Sequence, residues 1–184
     1  LAISDDELAS QTISVAKLDK LNAAFVQMTR IAHSFQGEVR DLLFDDKGCI
    51  FIAVFGALGT TELAPLRAAR SAMAISHEYS SSKVGVSFGT CFVGMCGSPK
   101  RHDFVVMGHD VNMAARFMVC AGVGEVLVSP EIEAATRELI TYEAVQVNAH
   151  KRGETLTTVF RPLQEIARRG SFIAQYRYGM RDKD

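Results

Sequence analysis

Arg101-His-Asp-Phe-Val-Val-Met-Gly-His-Asp-Val-Asn-Met-Ala-Ala-Arg-Phe-Met118 joins an extended apolar run to a helical pattern through one glycine. Residues 103–107 read as a strand, Gly108 as the break, and the following stretch to Cys120 as a helix. On that helix Asn112 and Arg116 stand at i and i+4, so a carboxamide and a guanidinium share one face. Arg offers a permanently charged fork of donors suited to phosphate, and Asn can hold a hydroxyl or a sugar ring. Without context such a pair is two solvated side chains. A strand-to-helix break directly ahead of it is a common place for a ligand site, which makes the pair a candidate for phosphoryl transfer.

Working outward, residues 125–128 read as a strand and Ser129-Pro130 opens a short helix. Extended runs at 142–147 and 156–160 flank the basic loop His150-Lys-Arg-Gly153. Upstream, Leu18, Leu21, Phe25, Met28, Ala32 and Phe35 recur at steps of three and four, which predicts an amphipathic helix stopped at Gly37. Runs at 39–44 and 49–55 around Asp45-Asp-Lys-Gly48 predict a β-hairpin with a slightly long tip. Thr60 or Thr61 is placed to cap a helix beginning near Pro65, with Leu66, Ala69, Ala72, Met73 and Ser76 on its small-residue face. Residues 83–95, with Gly85, Gly89 and Gly94, read as a further strand or hairpin in which glycine allows close approach of another backbone or a ligand. The expected architecture is α+β, one mostly antiparallel sheet with helices packed on it, related to the split βαβ arrangement.

The chain has 184 residues, 48% of them hydrophobic, and a formal net charge of −1. That length suits one domain with a substantial core, and the balanced charge provides no drive toward nucleic acid or an anionic membrane. No apolar run reaches the roughly 18–20 residues of a membrane span, and no basic region followed by an apolar stretch opens the sequence, so it reads as soluble and intracellular. Cys49, Cys91, Cys96 and Cys120 lack CxxC spacing and sit among apolar residues, as reduced core thiols do. From Pro162 onward arginines collect around Phe172, Tyr176 and Tyr178. Residues 1–161 are therefore expected to form the catalytic-type domain and 162–184 a basic extension or linker.

Phe44-Asp-Asp-Lys-Gly-Cys-Ile-Phe-Ile-Ala-Val-Phe-Gly56, Val84-Gly-Val-Ser-Phe-Gly89 and the 101–118 stretch resemble a class III nucleotidyl cyclase domain, most closely the second catalytic domain of the soluble adenylyl cyclases. The resemblance extends from about Leu18 to Phe160. It implies an active site shared by two such domains, one carrying metal-binding aspartates and the other the Asn and Arg. It also implies the chemistry: a nucleotide 3′-hydroxyl attacks its own α-phosphorus and expels pyrophosphate, helped by two Mg²⁺ or Mn²⁺ ions and a guanidinium. Asn112 would then orient the ribose of ATP and Arg116 would stabilise the transition state.

In a metal-binding half an aspartate stands four residues after a basic residue in the first hairpin. Counting from Arg40 reaches Phe44, which binds no metal, and little of a first strand precedes the first helix. Asp5 and Asp6 read as a solvated cap, and Asp45 and Asp46 as turn residues. The chain thus resembles the metal-free half, with both ions supplied by a metal-binding first-type domain in the same or another polypeptide. Family members place base-reading groups at the positions of Arg40 and Val105. Arg40 offers a donor to either purine, whereas the Val105 side chain offers no hydrogen bond; ATP is favoured over GTP because the soluble adenylyl cyclases the chain resembles use it and because the Glu that guanylyl cyclases carry at the Arg40 position is absent. Leu42, Phe44 and Val106 would wall the base, and Lys151 or Arg152 would face the terminal phosphates. A catalytically inactive cyclase-fold scaffold and a guanylyl cyclase half are the competing readings. The absence of a Gly-Gly-Asp/Glu-Glu-Phe run at the first hairpin argues against a diguanylate cyclase.

Overall fold

The computed structural model describes residues 2–3, 15–45, 48–57, 59, 63–149 and 156–166. In chain order these form β1 (Ala2–Ile3), α1 (Val15–Ser34), β2 (Gly37–Asp45), β3 (Gly48–Phe55), α2 (Ala64–Glu78), β4 (Val84–Val86), β5 (Phe92–Ser98), β6 (Arg101–Met107), α3 (His109–Cys120), β7 (Val126–Val128), α4 (Pro130–Thr136), β8 (Ile140–Val147) and β9 (Thr157–Glu165). The α+β class and the predominantly antiparallel pairing follow the expectation, with β4 and β7 as the parallel pair.

Among the described residues the strands hydrogen-bond in three groups, ordered β1-β3-β2, β4-β7-β9-β8 and β5-β6. Residues 83–95 accordingly do not make a hairpin. β4 joins the four-stranded sheet, whereas β5 pairs with β6. Periodicity registers extended backbone and is silent on which strand becomes its neighbour.

Helix α1 buries Met28, Ile31 and Ala32, with Phe35 just beyond its end, against Phe51 of β3. Leu18, expected on this face, is 55% exposed. The left-handed residue that ends the turn is Gln36, with φ 60°, and Gly37 is already in β2. A side chain at Gly37 would run into the Phe55 ring, which explains the glycine. Asp45 pairs with Gly48, so the ladder runs further toward the tip than expected; Gly48 takes φ 99°. The N-cap of α2 is Leu63 in a left-handed conformation, with no side-chain cap; Thr60 and Thr61 lie outside the described residues. Its buried face is Leu66, Ala68, Ala69, Ser71, Ala72 and Ile75, while Ser76 donates to the Gly124 carbonyl at 2.7 Å.

Strand β9 passes Phe160 and continues through Pro162 to Glu165. Proline lacks an N–H, but β7 pairs with β9 only at Val128 and Phe160. Beyond that point no described strand pairs with that side of β9, and the register shift at Thr141/Tyr142 of β8 lies opposite Pro162. Glu165 then accepts from Arg70 of α2 at 2.6 Å and 3.3 Å, pinning the strand end across the core. Of the four free thiols only Cys49 is buried, and Cys96 is exposed on β5, which corrects the expectation of core cysteines throughout.

Tyr142 shares a 2.7 Å hydrogen bond with Thr136, and burial pushes its phenol above the ordinary 10.0. Burial likewise pushes the Cys49 thiol above 9.0. Both groups lose protons more readily in the unfolded chain, which therefore binds fewer protons than the native state once pH exceeds those values. Their share of stability is complete below about pH 9 and falls as pH rises further. Urea midpoints should be insensitive to these groups near neutrality and decline above about pH 9, with Tyr142→Phe flattening part of the decline. An alkaline limb unchanged in that variant would contradict the assignment.

Candidate functional site

Two glycines seat α3. Gly85 of β4 lies so close to the helix that a Cβ there would overlap the Ala114 carbonyl oxygen and the Met118 nitrogen. At Gly89 a Cβ would overlap the Asp110 carboxylate. Asp110, in the first turn of α3, accepts from the Ser87 hydroxyl at 3.1 Å, and its charge suits the helix N-terminus. Met113, Phe117 and Met118 turn inward, and the first two join Ala121, Leu127, Val147 and Val159 in a second core cluster. The helix can present Asn112 outward because its other side is bound this tightly.

Asn112 is exposed and lines a cleft of about 900 Å³, together with Asp110 and Val106. Arg116, one turn on, is half-buried and donates through Nη1 to the Ala149 carbonyl at 3.2 Å. Ala149 immediately precedes the basic loop in sequence. Among the described residues this is one bond of five possible N–H donors, which leaves most of the guanidinium fork for another acceptor.

Arg40 falls at the register shift between Val39 and Asp41, a bulge that re-aims its side chain. Its Nη2 donates to the Phe104 carbonyl at 3.1 Å and its guanidinium lies 4.4 Å from the Phe104 ring centroid. Nε is buried without a hydrogen-bond partner. Arg40 therefore ties β2 to β6 at Phe104, next in sequence to Val105, and of these candidates Val106 lines the cleft with Asn112. Leu42 does not join them: it packs under α1 with Leu21, Phe25 and Met28. The Phe44 side chain, Lys151 and Arg152 lie outside what is described.

Asp110 and Ser87 were not singled out by sequence. The available signal was an acidic residue in the first turn of the helix. Cys91 lies near them; burial, then the Asp110 charge, pushes its thiol above 9.0, against a backbone hydrogen bond from Val111. It is thus no thiolate nucleophile. Among the described residues no group of three or more His, Cys, Asp or Glu is placed to hold a metal ion. No helix among them is long and apolar enough to cross a membrane.

The profile of the adenylate and guanylate cyclase catalytic domain matches residues 55–160, and the chain belongs to that family. It is 36% identical to rat adenylate cyclase type 10 over 108 residues, a stretch covering 54% of this chain and 7% of the rat protein. The chain thus spans a small fraction of the curated relatives it matches. Its fold is similar to the adenylyl cyclase CyaB from P. aeruginosa, with TM-score 0.69 and 21% identity over 89% of both chains. It is also similar to the guanylate cyclase domain of RhGC from Catenaria anguillulae in complex with GTP, with TM-score 0.72 and 15% identity over 87% of this chain and 90% of that one.

Proposed function

We propose that this chain is the second-type half of an adenylyl cyclase, forming 3′,5′-cyclic AMP and pyrophosphate from ATP at an interface with a metal-binding partner domain. The observation that carries the reading is the disposition of α3: Asn112 exposed at the cleft, and Arg116 one turn away with most of its donors uncommitted. Asn112 orients the ribose so that its 3′-hydroxyl lies in line with the α-phosphorus, and Arg116 binds the charge that develops on the phosphate oxygens. Divalent ions, when bound by the partner, would activate the hydroxyl and neutralise phosphate charge. Similarity to rat adenylate cyclase type 10 supports ATP as the nucleotide.

A second reading, an inactive cyclase-fold scaffold, draws support from Arg40 being engaged with Phe104 and from the apolar Val105 beside it. One experiment separates the two. The purified chain alone should make essentially no cyclic nucleotide from ATP. Adding a first-type half that carries both metal aspartates, with Mg²⁺ or Mn²⁺, should produce turnover, with ATP preferred to GTP. Strong activity from the chain alone would overturn the metal-free assignment. Silence of the reconstituted pair would favour the scaffold, and preference for GTP would make it a guanylyl cyclase half.

A further inference from the structure

The chain holds four prolines, and Pro99 and Pro130 each directly follow a serine. The fold treats these Ser-Pro pairs oppositely. Ser129 is 2% exposed at the start of α4, where its hydroxyl accepts from the Phe88 N–H at 3.4 Å, and the acidic Glu131 and Glu133 follow it. Ser98 ends β5 at the tip of the β5-β6 hairpin, in a stretch from residue 95 to 103 that is exposed throughout. Its hydroxyl is held weakly, donating to the Arg101 carbonyl at 3.4 Å and accepting from the Arg101 N–H at 3.3 Å. Among the described residues β5 and β6 pair only with each other. A two-stranded ribbon is marginally stable by itself, so its tip opens at small cost and lets another protein take the backbone in extended form.

We propose that Ser98 is a phosphoacceptor for a proline-directed serine/threonine kinase, one whose groove seats proline directly after the acceptor in an apolar pocket and basic residues beyond it against carboxylates. Pro99 suits that pocket because it has no N–H to leave unpaired on burial. Lys100 and Arg101 supply the cations at the second and third positions after the serine. In the transfer the Ser98 Oγ bonds to the γ-phosphorus of ATP, the bond to the β,γ-bridging oxygen breaks so that ADP departs, and the hydroxyl proton passes to the kinase's carboxylate base. The hairpin also suits the product. Arg101 is the cross-strand partner of Ser98, and its guanidinium is otherwise engaged, among the described residues, by the exposed Asp103 at 3.4 Å. Phosphate is the stronger acceptor, with about two negative charges and oxygens matched to the guanidinium fork. Lys100 and Arg101 against Asp103 give the tip a net charge of +1, which phosphate turns to about −1.

The test is incubation of the 184-residue chain with a purified cyclin-dependent kinase and MgATP. Intact mass should rise by about 80 Da, one phosphate per chain, with fragmentation placing it on Ser98 and leaving Ser129 bare. Ser98→Ala should abolish the gain, and either Pro99→Ala or Arg101→Ala should slow it roughly tenfold or more. All three positions are exposed, so the variants should fold as the parent does. The second ionisation of the phosphate, followed by phosphorus NMR, should fall below its ordinary value of about 6 and return toward it in phosphorylated Arg101→Ala. No mass gain, a gain that survives Ser98→Ala, or phosphate on Ser129 in place of Ser98 would overturn the proposal. So would equal rates for the parent and Pro99→Ala, and an unshifted titration would overturn the pairing with Arg101.

Discussion

Arg116→Ala should lower the kcat of the reconstituted pair by roughly 10²-fold or more, with a much smaller change in KM for ATP. The reason is the timing of the charge. Phosphate oxygens gain negative character as the bond to pyrophosphate stretches, and a guanidinium aimed there binds the transition state better than the ground state. Arg116 has a structural role as well. Its hydrogen bond to the Ala149 carbonyl comes from a charged donor and is worth about 1.5–3 kcal/mol, so Tm should fall by a few degrees and kcat is read on the folded pair. Arg116→Lys should recover only part of the loss, because an ammonium lacks the planar fork. An unchanged kcat in Arg116→Ala would remove this residue from the mechanism.

Gly85→Val should be the most damaging single change to the fold. The new Cβ would meet backbone atoms of Ala114 and Met118, which cannot rotate away as a flexible side chain would. Either α3 lifts off β4 or β4 shifts within its sheet, at a cost of about 3 kcal/mol or more. For a chain of this size that corresponds to a fall of roughly 6–12 °C in Tm. Activity of the pair should fall further than stability alone explains, because α3 carries both Asn112 and Arg116. Gly59→Ala is the matched control: nothing lies within 4 Å of a Cβ there, and stability should hold within about 0.5 kcal/mol. A Gly85→Val chain as stable as the parent would refute the close packing of α3 on β4.

Much of the α3 unit was legible in the residues themselves. A glycine between an apolar extended run and a 3.6-residue period marks the boundary, and the i, i+4 spacing of Asn112 and Arg116 is a property of any helix. The site around it was less legible. Leu42 has the same apolar character as Val106, yet the bulge at Arg40 sends it under α1 while Val106 lines the cleft. Asp110 escaped notice because Ser87, its partner, and Gly89, packed against it, lie in the loop after β4, far upstream in sequence. Pro162 read as a boundary because arginines collect beyond it. β9 passes through it because β7 stops pairing at Phe160.

By itself the sequence determined most of the elements, their order and the shared helix face of Asn112 and Arg116, since each depends on residues within a few positions of one another. Only the tertiary structure decided that Arg40 rests on Phe104, 64 positions away, that Arg116 is anchored at Ala149, and which of the described strands pair with one another. Those outcomes depend on which unpaired edges and carbonyls meet once the chain has folded back on itself, and local pattern carries no record of such meetings.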